Sequence, residues 1–255
     1  PSREQVVQYL KAYAAQHHVA PRLGVAMQAV KRLGERFIVD TSAGVMTPRF
    51  VVMATGHNRV PKLPSVPGLD SFHGTSIHAG AYKNASPYRG QRTLVVGCGN
   101  SGAEIALDLA ENGVDAAMVA RGPVHVVPRD IFGRPTQHTN VLLSHLPLGM
   151  RDAIAVTTMR LVVGDLSRWG IVRPAVGPNR MIEESGRIPM LDVGTIAMIK
   201  QGKIRVMPAV QEVLTDSVRF AGGAVHPFEA IIFATGYSPG LAKVIEGFET
   251  IADAR

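Results

Sequence analysis

Leu94-Val95-Val96-Gly97-Cys98-Gly99-Asn100-Ser101-Gly102-Ala103-Glu104 carries the pattern G-x-G-x-x-G between an apolar strand and the start of a helix. Glycine is common, so the bare pattern says little, and its flanks give it meaning. Gly97 permits a tight turn. Gly99 has no Cβ, so a pyrophosphate can come close to the backbone. Gly102 lets the helix pack closely on the strand. The unpaired N–H groups where the helix begins, at Asn100 and Ser101, then face the phosphates, and the helix dipole favours their charge. The segment predicts a Rossmann βαβ unit over residues 93–121 that binds a dinucleotide.

The second strand of that unit discriminates between the two nicotinamide cofactors. NAD calls for an Asp or Glu about 20 residues past the loop, to accept from the ribose 2′-hydroxyl. Here Ala116-Ala117-Met118-Val119-Ala120 ends in Arg121. A carboxylate would repel a 2′-phosphate, whereas a guanidinium pairs with it. The expected cofactor is NADP(H), with Gly97, Gly99, Asn100, Ser101, Gly102 and Arg121 as its binding residues. Cys98, inside the loop, has no neighbouring base to make a thiolate. It is expected to be a small buried filler.

Outward from the loop, residues 2–18 predict a helix. Ser2 and Gln5 have capping-box spacing, and Val6, Tyr9, Leu10, Tyr13 and Ala14 form an apolar docking stripe. Strands are expected at 25–30, 36–41 and 49–54, with Gly34 and Gly44 in the gaps, as in a β-meander. The third, Phe50-Val51-Val52-Met53-Ala54, is apolar enough to be buried on both faces. Pro61, Pro64 and Pro67 make a stiff connection and a domain boundary. Residues 142–166 are expected to be helical and the rest of 128–190 loop; strands are expected at 204–206, 217–220 and 230–234. Two apolar strands end in Ala54-Thr55-Gly56 and Ala234-Thr235-Gly236. Small residues at a strand end let a ligand approach the backbone, so both triplets are candidate cofactor contacts. Bracketing the Rossmann unit, they suggest a chain that leaves one nucleotide domain, builds a second, and returns. The expected segments are 1–58, 59–228 with an insertion at about 128–190, and 229–255.

Composition removes several function classes. The chain has 255 residues, 46% hydrophobic and 18% charged, enough for a sizeable core. No apolar run approaches the roughly 20 residues of a membrane span. The single cysteine excludes an internal disulfide framework and a cysteine-based zinc cluster, and fits a reducing, cytoplasmic location. No His or carboxylate group has metal-ligand spacing. The net charge of +7 is scattered and aromatics are 5%, so a nucleic-acid partner is not expected.

Phe72-His73-Gly74-Thr75-Ser76-Ile77-His78-Ala79-Gly80-Ala81-Tyr82 fits F-x-G-x-x-x-H-x-x-x-Y. With it, the chain resembles the class B flavin monooxygenases, and within them the flavin-containing monooxygenases of the YUCCA-like branch. Related Baeyer–Villiger enzymes carry Trp at the position of Tyr82. Leu191-Asp192-Val193-Gly194 and Gly164-Asp165 also look YUCCA-like, although the residues themselves suggest no chemistry. The resemblance implies an α/β fold, a two-dinucleotide-binding-domain flavoprotein, with a near-complete Rossmann NADPH domain inserted in a partial FAD domain. It places Phe72, Gly74, His78 and Tyr82 in the linker, with His78 tying it down. It implies NADPH and FAD as cofactors, dioxygen and a small organic molecule as reactants, and oxygenation through a flavin hydroperoxide. Oxidative decarboxylation of the indole-3-pyruvate type and N- or S-oxygenation both fit. No catalytic residue is assigned. No G-x-G-x-x-G precedes residue 97, so the chain resembles an internal fragment, expected to be inactive alone and prone to aggregate. The competing reading is a truncated NADP-binding remnant that is not an enzyme. A disulfide reductase needs two redox cysteines, and the paired Ala-Thr-Gly strands argue against a single-domain dehydrogenase.

Overall fold

The computed structural model describes residues 2–131 and 133–251. It divides into two compact units, one of Pro1–Val60 with Ser238–Arg255 and one of Pro61–Tyr237.

In the first unit, α1 (Arg3–Gln16) opens on the anticipated capping box: Gln5 N–H donates to Ser2 Oγ at 3.3 Å, and Ser2 N–H to Gln5 Oε1 at 2.7 Å. No residue of the helix is buried, and Tyr9 of the apolar stripe stays 65% exposed. The meander forms from β1 (Met27–Leu33), β2 (Arg36–Thr41) and β3 (Gly44–Met46), all antiparallel. Val30 faces Val39 across it, and both are buried. The returning chain joins β1, where Val30 N–H donates to Val244 O at 2.7 Å and Glu246 N–H to Val30 O at 2.9 Å.

The third strand is not where apolarity put it. Residues 49–54 form no strand, and Phe50 and Val52 are 80% and 87% exposed. A strand needs a neighbour for its N–H and C=O groups, and among the described residues this run has none. Side-chain hydrophobicity alone cannot supply that pairing.

The second unit is three layers deep. Its centre is a parallel sheet of β4 (Thr75–His78), β5 (Arg92–Val96), β6 (Asp115–Val119), β9 (Ile204–Met207) and β13 (Ala230–Phe233), in the order β9-β6-β5-β13-β4. The helices α2 (Asn100–Glu111) and α6 (Thr195–Lys200) cover one face. An antiparallel meander of β10 (Val210–Val213), β11 (Ser217–Phe220) and β12 (Val225–Pro227) covers the other. The side chains alternate accordingly. Val95, Ala116, Met118, Ala230 and Ile232 pack with Ala103, Ala106 and Leu109 of α2, whereas Leu94, Ala117, Val119, Ile231 and Phe233 pack with Val218, Phe220 and Phe228. Strands buried on both faces read as continuous apolar runs, which is why these were visible in the sequence.

Three expectations need correction here. The return to the first unit falls after Tyr237, not at 229. The strand ending in Ala234 is β13, wedged between β5 and β4 with Phe233 opposite both Val96 and His78. Its sequence fits any doubly buried strand, so its neighbours could not be read from it. Residues 142–166 are two helices, α3 (Thr136–Leu143) and α4 (Leu148–Val162), because Pro147 has no N–H to continue the first. The rest of the insertion is also more ordered than a loop. It includes β7 (Val126–Pro128), α5 (Pro178–Ser185) and β8 (Met190–Asp192), the last parallel to β7. Pro1, Phe132 and residues 252–255, within the expected segments, lie outside the described residues.

The two motifs without evident chemistry are structural. Asp192 Oδ1 accepts the N–H groups of Gly194 (3.0 Å) and Ile196 (3.1 Å) and so starts α6, while Thr195 Oγ1 donates to Ala103 O of α2 at 2.9 Å. Gly164 ends α4 and its carbonyl accepts from Arg173; Asp165 caps the next turn through Ser167 N–H at 2.9 Å.

A Cβ on Gly102 would collide with the carbonyl of Gly97. Gly102→Ala should therefore cost about 1–3 kcal/mol, as overpacking does. Gly149→Ala, in α4 with nothing within 4 Å, should be neutral or gain up to about 1 kcal/mol. Urea unfolding followed by the fluorescence of Trp169, the sole tryptophan, measures both.

Candidate functional site

The carboxyl ends of β5, β6 and β13 open onto a cleft of about 740 Å³ within the second unit, a size typical of small-molecule and cofactor sites. Its floor is the glycine loop. Gly97 has φ 131°, a conformation L side chains rarely adopt, and a Cβ there would strike the carbonyl of Ala234. Gly102 is tight against Gly97, whereas nothing lies within 4 Å of a Cβ on Gly99. Two glycines thus close the backbone, and the third faces open space. The first bond into α2 is Ala103 N–H to Gly99 O at 2.9 Å. The N–H groups of Asn100, Ser101 and Gly102 precede it and have no helical partner.

Gly97, Gly99, Arg121, Ala234, Thr235 and Gly236 all line this cleft. Asn100 and Ser101 do not bring their side chains to it: Asn100 Oδ1 accepts from Leu191 N–H at 2.7 Å, and Ser101 borders a shallower hollow with Tyr82, Glu104 and Asp108. Ala54, Thr55 and Gly56 belong to the first unit, where they are exposed and outside any strand, with Gly56 in the left-handed region at φ 70°, rather than the end of a buried strand. Two further basic residues, Lys62 and Arg187, also line the cleft. Nothing local marks either one, since Lys62 sits in the proline-rich connection and Arg187 in the insertion. Among the described residues, Lys62, Arg121 and Arg187 are the charged ones lining the cleft, and no carboxylate lines it. None of them forms an ion pair among the described residues.

The fingerprint residues hold this site from behind. Gly74 leaves room for the carbonyl of Glu229 and the ring of Phe72. His78 is 8% exposed. Its Nδ1 accepts Gly80 N–H at 3.1 Å, which leaves the ring proton on Nε2 to donate to Gly236 O at 3.0 Å. The same carbonyl accepts Lys62 N–H at 3.0 Å, and Thr235 Oγ1 donates to Lys62 O. Tyr82 donates to Asp108 of α2, and burial, reinforced by that carboxylate, raises its hydroxyl well above the usual tyrosine range. Among the described residues no cluster of three His, Cys, Asp or Glu could hold a metal, and no helix is long and apolar enough to cross a membrane.

A family model described as pyridine nucleotide-disulphide oxidoreductase matches residues 1–130, the glycine loop included. The chain belongs to this family. Its relatives include indole-3-pyruvate monooxygenase YUCCA1 of Oryza sativa subsp. japonica, 41% identical over 241 residues, covering 93% of this chain and 59% of that protein. The fold is that of a flavin-containing monooxygenase from Stenotrophomonas maltophilia (TM-score 0.68, 20% identity, 98% of this chain and 61% of that one). It is equally that of OTEMO, solved in complex with FAD and NADP (TM-score 0.68, 17% identity, 97% and 60%). The chain spans about three fifths of the length of each. The family's name invokes disulphide chemistry, but these 255 residues hold one cysteine, and a dithiol needs two.

That cysteine is a filler. Cys98 Sγ lies 3.9 Å from Met190 Sδ, and burial pushes its thiol from the ordinary 9.0 to about 11. Below about pH 9 folded and unfolded chains both hold the proton, so stability is unaffected. Between 9 and 11 the unfolded chain releases it while the folded chain retains it, so stability should fall as pH rises through that window. Urea midpoints of wild type and Cys98→Ala across pH 8–11 isolate this slope, which the variant should lack. At pH 8 the folded thiol should also react with Ellman's reagent far more slowly than the urea-unfolded one.

Proposed function

We propose that the second unit is an NADPH-binding domain and that the chain acts within an NADPH- and FAD-dependent monooxygenase. The observation that carries this is the cleft, in which a phosphate-approach glycine loop and Arg121 share one cavity that no carboxylate lines among the described residues. The open side of Gly99 and the N–H groups at the start of α2 would take the pyrophosphate. Arg121, at the end of the second Rossmann strand, would take the 2′-phosphate as a bidentate partner. Ala234, Thr235 and Gly236 offer a wall of small residues, held in place by His78 and Lys62.

NADPH, when bound, supplies a hydride, and the protein supplies its position. The first unit is read as part of an FAD domain on the relatives' architecture, with Ala54, Thr55 and Gly56 as candidate contacts. No second G-x-G-x-x-G occurs in these 255 residues, so the chain shows no phosphate loop for a flavin. The YUCCA relatives are named for indole-3-pyruvate. A small α-keto acid, oxidatively decarboxylated with dioxygen, is the substrate class this favours over N- or S-oxygenation. The single cysteine favours a cytoplasmic location, and of the scattered positive charge Lys62, Arg121 and Arg187 line the cleft, where they suit cofactor phosphates.

Titration of NADPH and NADH against wild type and two variants tests the cofactor reading. Arg121→Ala should weaken NADPH by about tenfold to a hundredfold and leave NADH unchanged, since charge-assisted hydrogen bonds contribute about 1.5–3 kcal/mol. Gly99→Ala should fold normally, having open space for its methyl, yet weaken both cofactors. Equal NADPH affinity in wild type and Arg121→Ala would remove the role given to Arg121. Bound flavin and NADPH oxidation by the chain would establish an enzyme and end the remnant reading; colourless protein that binds NADPH without consuming it fits an internal fragment and a remnant alike.

A further inference from the structure

Helix α5 supplies two apolar side chains of the cleft wall, Met181 directly and Ile188 just past the turn at Gly186. It is eight residues long, too short to hold itself in water. It also has no cap of its own. Its first residue, Pro178, has no N–H, and Gly177 before it has no side chain to accept the next two. The acceptor comes from a different helix. Asp152 of α4 takes Asn179 N–H (2.8 Å) and Nδ2 (2.9 Å) on Oδ1, and Arg180 N–H (3.3 Å) on Oδ2. Its neighbour Arg151 donates to Asn179 Oδ1 at 3.1 Å and pairs with Glu183, one turn further along α5, at 3.4 Å. The arrangement requires glycine at 177. Its φ of −64° suits any residue, but a Cβ there would strike the carboxylate of Asp152.

α4 can serve as the anchor because its own far end is fixed. Val163 packs in the core with Val126 and Met190, and its carbonyl accepts Lys200 Nζ at 3.1 Å. From this base α5 runs about 12 Å to Gly186, where φ is 64°. β8 is parallel to β7 with Met190 opposite Val126, and Met190 N–H donates to His125 O at 2.8 Å. Ile188 therefore leads into β8 beside Val124, three residues past Arg121, and all three line the cleft. With the 2′-phosphate at Arg121, this is the adenosine end of the nucleotide, whose flat base suits an apolar wall. We propose that Asp152 is a positioning residue for the adenosine half of the cofactor: by capping α5 from α4, it fixes Met181 and Ile188 where they meet the base. This rests on the NADPH reading above.

Binding of NADP⁺, NAD⁺ and adenosine 2′,5′-bisphosphate to the 255-residue chain is measured by calorimetry for wild type, Asp152→Ala, Asp152→Asn and Ile188→Ala. Asp152→Ala should weaken all three by one factor, about tenfold, as loss of an N-cap does, and so leave the preference for NADP⁺ unchanged. Asp152→Asn, whose Oδ1 still accepts, should bind within about twofold of wild type. Ile188 is 73% exposed, so Ile188→Ala keeps the fold and should weaken the same three ligands by about fivefold. A role confined to stability would lower the urea midpoint of Asp152→Ala and leave the affinity of the folded protein as it was; that result overturns the proposal. A loss for NADP⁺ that the bisphosphate does not share also overturns it, since α5 would then serve the nicotinamide end. If Asp152→Ala does not fold, Ile188→Ala decides: a loss shared by the three ligands supports the proposal, and undiminished binding overturns it. If wild type binds none of the three, the NADPH reading fails; if wild type binds and Asp152→Ala matches it, the role of Asp152 fails alone.

Discussion

The close approach of three backbone segments at Gly97 governs the second unit. A side chain at Gly97 would strike Ala234, and one at Gly102 would strike Gly97. Their absence lets β13 lie against β5 and lets α2 begin directly on the loop. Both consequences create the cleft: the first brings Ala234-Thr235-Gly236 to its wall, and the second aims unpaired N–H groups at it. Gly99 is free of packing duty: a Cβ there would meet nothing within 4 Å and would face the cleft. The same pattern of three glycines does two kinds of work, and only the packing kind is needed for the fold.

The parts legible in the sequence are those decided by local pattern. The capping box of α1, the loop and helix α2, and the doubly buried strands were readable because spacing and apolarity specify them without reference to distant residues. The run from Phe50 to Ala54 looked like a buried strand on the same grounds and is not one, because pairing depends on a neighbour that the run itself does not encode. β13 reads as a strand, but its sequence does not say which unit it joins. Its four residues are all apolar, and neither their order nor their length says that Val96 and His78 lie on either side. Arg121 was legible because a Rossmann unit fixes its distance from the loop. Lys62 and Arg187 were not, since each reaches the cleft through tertiary contacts: one through the pinned carbonyl of Gly236, the other through the β7–β8 pair.

Those contacts give the insertion a physical role. A βαβ unit alone supplies the floor of the cleft and one guanidinium. The insertion adds α5, β8 and the segment between them, and with these Met181, Arg187 and Ile188 on the wall. The hydrogen bonds just past its end return to the loop and its helix: Asn100 holds Leu191, Asp192 starts α6, and Thr195 ties α6 to α2. The Leu191-Gly194 motif is thus the seam between the insertion and the glycine loop, which accounts for residues that suggest no chemistry of their own.

The spacing of the fingerprint follows from the same geometry. Gly74, His78 and Tyr82 lie four residues apart along β4 and the turn after it, and each meets a different neighbour. Gly74 admits the start of β13 at Glu229, His78 holds its far end at Gly236, and Tyr82 reaches across to Asp108 on α2. β13 and α2 are the two elements that meet at Gly97. The edge strand therefore clamps both partners of the glycine loop without reaching the cleft. A polar residue buried for such a purpose must have its hydrogen bonds satisfied. His78 meets that condition at both ring nitrogens, an accepting Nδ1 and a donating Nε2. A side chain without a donor and an acceptor on opposite sides of a ring could not join Gly80 to Gly236, and this requirement selects histidine at position 78 on grounds of shape and hydrogen bonding alone.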